Sequence, residues 1–182
     1  MGNSIYRQDS KKDTEKYRTG LKRIGASILD GFVFMPLLFL EQWIYKNTSN
    51  IFILFAWATF VGFAPLFYSV ILHYKTGKTY GKWVAGVEVL DISETRKLTF
   101  LQSVYRDSFY LLIAIAGTVY YGFLLAHSES AEDVLSDYSS FSNNPVLWWT
   151  LLELITMLTN NKRRAVHDFL AKSVVVRTKT NS

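Results

Sequence analysis

Residues 51–72 read IFILFAWATFVGFAPLFYSVIL, 22 residues without a charge. A helix crossing the ~30 Å hydrocarbon core of a bilayer needs about 20 predominantly apolar residues. A helix buried in a water-soluble core is normally shorter and keeps a polar stripe. The stretch therefore predicts a membrane span. Outward from it, Ser108–Ala126 is a second uncharged run of 19 residues. Two weaker runs flank these: Ile24–Leu40, interrupted only by Asp30, and Pro145–Thr159, interrupted only by Glu153. The expected fold is an all-α membrane protein with four transmembrane helices, at about 23–44, 51–73, 100–126 and 145–160. Residues 1–22 read as a basic tail, 23–178 as the membrane domain and 179–182 as a C-terminal tail.

The chain has no cysteine, which excludes a disulfide scaffold and thiol chemistry. The N-terminal basic leader resembles a signal peptide, but it is long and polar, lacks a small-residue cleavage site and precedes further spans. The first apolar run is therefore read as a retained span. Met1–Tyr6 misses a myristoylation signal because Tyr6 stands where Ser or Thr is needed.

Charge orients the spans. Nineteen of the 20 Lys and Arg residues fall in three segments: the leader (Arg7, Lys11, Lys12, Lys16, Arg18, Lys22, Arg23), the middle (Lys75, Lys78, Lys82, Arg96, Lys97, Arg106) and the end (Lys162, Arg163, Arg164, Lys172, Arg177, Lys179). With four spans all three segments lie on one side, which the positive-inside rule makes cytoplasmic. Both termini are expected in the cytoplasm of a cell whose plasma membrane holds the protein, and Glu129, Glu132, Asp133 and Asp137 are expected outside. The basic balance follows topology, so nucleic acid is not an expected partner. Trp43 with Tyr45, and Trp148 with Trp149, are expected near the outer interface.

The middle segment, TGKTYGKWVAGVEVLD at 76–91, ends like a phosphate-binding loop. That motif requires a glycine where this chain has Leu72, so nucleotide binding is rejected. Gly77 and Gly81 are expected to turn the chain at the cytoplasmic surface. Val87–Asp91 alternates like a short strand, as does Ser173–Thr178, and the two are expected to pair beneath the helices.

Four motifs in order carry a family resemblance: RIGASILD with Arg23 and Asp30; the segment with Gly77, Thr79, Gly81, Lys82 and Gly86; Arg106; and KRRAVHDFLAKSVVV at 162–176 with Asp168. Together they resemble the RDD family of integral membrane proteins over residues 23–177. Trp83 stands where a basic residue often follows Gly-Lys, and Lys172 where the closing motif has glycine. The resemblance implies a membrane protein and admits sodium–proton antiport, an activity considered for some members.

Ionisable residues inside spans are costly and mark functional sites. Asp30, Arg106 and Glu153 each lie seven residues from a cytoplasmic span boundary, hence roughly 10 Å deep at 1.5 Å per residue. Thr99 is expected to cap the third helix. Asp30 is expected to pair with Arg106, leaving Glu153 as the free acid of a cation or proton site; Arg23 would meet Asp168 or reach for head groups. An equally weighted alternative is that the Asp–Arg pair only locks the bundle. The expected partners are the lipid bilayer, a monovalent cation and H⁺, and a second copy or another membrane protein. The alternative to a carrier is a membrane adaptor or regulatory subunit. No enzyme activity is expected: His167 and Asp168 have no nucleophile with them. No cofactor or metal is expected either, since His73, His127 and His167 lack metal-ligand spacing.

Overall fold

The computed structural model describes residues 15–127 and 131–178. Arg7, Lys11, Lys12, Glu129 and Lys179 lie outside the described residues, as do the side chains of Glu132, Asp133 and Asp137. Helix α1 (Gly20–Asn47) is followed by α2 (Ile51–Thr76), whose first turn is capped by the Asn50 side chain, accepting from the Phe52 and Ile53 N–H groups at 3.0 and 3.3 Å. Helix α2 stops at Gly77, in the left-handed region at φ 72°, a conformation open to glycine because it has no Cβ. A short helix α3 (Tyr80–Ala85) and strand β1 (Val87–Asp91) form the elbow. Helix α4 (Phe100–Arg106) opens on a capping box between Thr99 and Gln102, as the sequence predicts for Thr99. Helices α5 (Ser108–His127), α6 (Ala131–Leu158) and α7 (Val166–Leu170) and strand β2 (Ser173–Arg177) complete the chain.

Helices α1, α2 and α5 are long and apolar enough to cross a membrane. The four-span expectation is met only to that extent. The third apolar run does not start at residue 100 as one helix. It is pinched at Asp107, whose N–H is shared between the Ser103 and Val104 carbonyls at 3.3 and 3.1 Å before the helix resumes. The span expected at 145–160 is not a separate helix: residues 145–158 are the end of α6, which runs through Pro145 and stops at Leu158.

Packing is inverted relative to a water-soluble domain. Phe52, Leu112, Val119, Trp148 and Ile155 point outward, whereas Arg23, His73, Ser103, Arg106, Asp107 and Asp168 are buried. Lipid solvates the first set; water would not. Between the helices the apolar core is small, with Ala58, Tyr121, Leu124 and Val134 joining α2, α5 and α6. Trp43 and Trp148 are exposed, whereas their neighbours turn inward: Tyr45 meets the Tyr121 hydroxyl at 3.2 Å and Trp149 stacks on Phe109 at 4.2 Å between centroids.

The two segments expected to pair do so, antiparallel, with Val87 opposite Arg177 and Asp91 opposite Ser173. Val87, Val89 and Val175 bury their side chains with Leu98. A clasp closes this end. Glu94 accepts from the Lys16 ammonium, from the Tyr17 hydroxyl at 2.6 Å and from the Lys162 ammonium at 2.7 Å, tying the start of the chain to the loop after β1.

Candidate functional site: a charge cluster and a polar cavity

Two polar assemblies sit side by side where the helices meet the elbow. The first is centred on Asp168, fully buried at the end nearest β2. One carboxylate oxygen accepts from Arg106 and from the Ser173 hydroxyl at 3.2 Å; the other accepts from Arg23 at 2.8 Å and from the Ala165 N–H at 2.9 Å. Burial alone would push this carboxyl up, but Arg106 and then Arg23 hold it well below the usual carboxylate range.

His167 completes the cluster. Its Nε2 lies 2.9 Å from an Arg23 nitrogen and 2.8 Å from an Arg106 nitrogen. Guanidinium groups can only donate, so Nε2 is the bare acceptor and Nδ1 carries the proton. That proton points at the Glu153 carboxylate. Burial, reinforced by Arg106, pushes the His167 imidazole below its ordinary value and favours this neutral form.

The second assembly is Asp30 and the elbow. Its Oδ1 accepts from the Tyr68 hydroxyl at 2.8 Å and the Gly81 N–H at 2.7 Å, and its Oδ2 accepts from the Thr79 hydroxyl at 2.6 Å. The Tyr80 N–H returns to the Tyr68 oxygen at 2.8 Å. Asp30 is therefore a clamp that holds α3 against α1. It makes no ion pair with any described residue, and the expected Asp30–Arg106 pair does not form. The physical reason is competition: Arg106 finds an acid with no water at all in Asp168, while the unpaired N–H groups at the start of α3 supply Asp30 with donors.

A cavity of about 600 Å³ lies between these assemblies, and Asp30, Arg106 and Glu153 all line it. So do Ser69, His73, Lys82, Asp107 and His167. Ser69 donates to Asp107 at 2.7 Å, and its oxygen lies 3.1 Å from His73 Nδ1. With the Ser69 proton already spent on Asp107, Nδ1 must donate to Ser69. His73 Nε2 is then a bare lone pair, buried and without a hydrogen-bond partner. Among the described residues no group of three or more His, Asp or Glu side chains could hold a metal ion.

The family model for the RDD family matches residues 17–172. The chain belongs to the RDD family. No curated protein and no solved structure matches it. In this RDD protein the motif residues split between the two assemblies: Arg23, Arg106 and Asp168 form the charge cluster, while Asp30, Thr79 and Gly81 form the elbow clamp. Gly77 and Gly86, at φ 72° and 67°, turn the chain at either side of α3. Lys82 projects into the cavity wall instead of serving the turn. Lys172, in the glycine position of the closing motif, still adopts the left-handed turn, at φ 49°.

Sequence reasoning missed His167, Asp107 and His73 as site residues. His167 fits no catalytic pattern in the sequence, because no nucleophile accompanies it. Its useful signal was position, one residue before Asp168 and beside the basic run Lys162–Arg164. Asp107 points away from Arg106 on an ideal helix, and only the pinch at the start of α5 brings both to one cavity.

Proposed function

We propose that this RDD protein is a plasma-membrane carrier that exchanges a monovalent cation for H⁺ through the cavity between α1, α2 and α5. The observation that carries this reading is the convergence of Asp30 from α1, Asp107 from the α4–α5 pinch and Glu153 from α6 on one cavity inside a bundle with an apolar exterior. Acids held at membrane depth are expensive and are retained where they serve an ion or proton path. Asp107 and Glu153 each accept a single hydrogen bond from described residues, so both keep oxygens free for a cation. In this reading the end of α6 is the fourth span: Leu147, Leu151, Ile155 and Leu158 face outward while Glu153 faces the cavity. The distribution of Lys and Arg then puts both termini in the cytoplasm. Four helices make a small carrier, so the working unit is a homo-oligomer.

The test is reconstitution into proteoliposomes with a trapped pH dye. An imposed sodium or potassium gradient is expected to move protons in wild type and not in Asp107→Asn or Glu153→Gln. Monodisperse, folded wild type that moves no protons under any cation gradient refutes the reading.

A second reading, a membrane adaptor, is favoured by α1. This helix buries only Arg23 and Ala26 along its 28 residues, which leaves a full apolar face for another membrane helix. A heteromeric partner that survives detergent extraction, together with absent ion flux, would support it.

A further inference from the structure

The three cations nearest the cavity are not equivalent. Arg23 and Arg106 are both committed to Asp168. Lys82 lines the same cavity, and its ammonium forms no hydrogen bond or ion pair with any described residue. Its backbone is nevertheless fixed, because the Asp30 clamp and the close seat of Gly81 on Ala26 hold α3 to α1. Lys82 is thus a positive charge on a flexible four-carbon stem, anchored at its root and loose at its head.

The groups facing Lys82 set its electrostatics. Asp30 on α1 and Asp107 at the start of α5 attract it; Arg106 on α4 and Arg23 on α1 repel it. His73 on α2 also feels its charge, and Glu153 on α6 and His167 on α7 line the same cavity. Burial, then Arg106, bring the Lys82 ammonium down to about 8. Asp107, which lines the same cavity, accepts only from Ser69 and so keeps acceptor positions with no donor among the described residues. A lysine head and a small metal cation compete for acceptors of this kind.

We propose that Lys82 is a tethered counter-ion of the cavity, displaced by the carried cation, so that binding of one monovalent cation releases one proton from Lys82. This inference rests on the carrier reading above. In the step, one N–H bond of the ammonium breaks, its electron pair stays on nitrogen as a neutral amine, and the proton leaves to water at the cavity mouth. The cation takes the place of the lost charge beside Asp107. One positive charge replaces another, so the exchange is electroneutral.

The experiment uses the full chain, purified in detergent and weakly buffered, with a pH-indicator dye. Sodium chloride is added against a choline chloride control, and bound sodium is counted by equilibrium dialysis. For a group near 8, wild type is expected to release roughly 0.9 proton per bound sodium at pH 7 and about 0.1 at pH 9. Lys82→Gln is expected to bind sodium and release none. Lys82→Arg carries a charge that cannot be discharged and is expected to bind sodium at least about tenfold more weakly. Proton release by Lys82→Gln equal to wild type overturns the inference and leaves the carrier reading standing. If the variants do not fold, the wild-type profile still decides: a release midpoint below about pH 6 assigns the proton to a carboxyl or imidazole group and overturns the role of Lys82. Wild type that binds no sodium and no potassium removes the carrier reading and the inference together.

Discussion

Replacing Gly81 with alanine tests the elbow clamp directly. A Cβ built at Gly81 would overlap the Ala26 carbonyl oxygen and lie 2.8 Å from its carbon and 3.0 Å from Asp30 Cγ. All of these atoms except the last are α1 backbone and cannot rotate aside. Ordinary carbon–carbon contact is ~3.5 Å, so α3 must retreat by about 0.7 Å from the carbon alone, and by more from the oxygen. The Gly81 N–H bond to Asp30, now 2.7 Å, would stretch past the range of a good hydrogen bond, and the 2.6 Å Thr79 bond would follow. Hydrogen bonds to a charged group contribute about 1.5–3 kcal/mol each, so the expected cost is ~2–4 kcal/mol, or a melting temperature lower by at least about 5 °C. Gly25→Ala is the matched control, because nothing lies within 4 Å of a Cβ there. The assay is thermal unfolding in detergent, followed by tryptophan fluorescence. Asp30→Asn should cost a similar amount, and the double variant less than the sum, because both changes break one clamp. A Gly81→Ala melting temperature within about 1 °C of Gly25→Ala would refute the clamp.

Asp168→Asn leaves Arg23 and Arg106 buried without their acid, and breaking a buried ion pair on one side costs about 3–5 kcal/mol; failure of the variant to lose at least about 1 kcal/mol in the same unfolding assay would contradict the hub role. Gly77→Ala forces an L side chain into φ 72° with its Cβ 3.0 Å from the Val89 oxygen, so a loss of ~1–2 kcal/mol is expected, and Thr99→Ala should cost ~1 kcal/mol through its lost cap. At Glu94, burial alone would raise the carboxyl, but hydrogen bonds from Lys16, Lys162 and Tyr17 bring it from the usual 4.5 down to about 2. A depressed acid of this kind adds stability that is fully present above about pH 4.5 and lost as the pH falls through about 2. At neutral pH, Glu94→Gln should let trypsin cut after Lys16 or Arg18 roughly fivefold faster; unchanged cleavage would remove the clasp.

What was legible in the sequence follows from what is local. Uncharged runs longer than 18 residues, the alternation of Val87–Asp91 with the valine run in Ser173–Arg177, and the Thr99 cap each depend on neighbours along the chain. Counting residues from span boundaries also placed Asp30, Arg106 and Glu153 at one depth, and all three line one cavity. Which acid meets which base was not legible. Four acids and three cations crowd this region, and depth alone permits many pairings. The choice depends on how far each acid is desolvated and on which helix ends bring free N–H groups, and both are tertiary facts. Gly81 shows the same limit: glycine was read as a turn residue, which holds for Gly77, whereas Gly81 lacks a Cβ because the Ala26 carbonyl occupies that space.

A carboxylate offers about four lone-pair positions, and counting those already filled ranks the acids of this protein by what remains. Asp168 has all four taken, by Arg106, Ser173, Arg23 and Ala165. Asp30 has three taken, by Tyr68, Gly81 and Thr79. Asp107 and Glu153 have one taken each among the described residues, by Ser69 and His167. A bare cation must replace its hydration shell with oxygen atoms that are not already bonded, so the two motif aspartates are the least able to receive one. Their filled valences suit them to hold fixed parts together: Asp168 ties α1, α4 and β2, and Asp30 ties α1 to the elbow. Asp107 and Glu153 sit on the frame these two build, facing a cavity that also holds the uncommitted Lys82. On this ordering, variants of Asp30 and Asp168 should lower melting temperature and any ion flux in parallel, whereas Asp107→Asn and Glu153→Gln should abolish flux at nearly unchanged melting temperature. Parallel loss of both in all four variants would mean that the cavity acids are structural too.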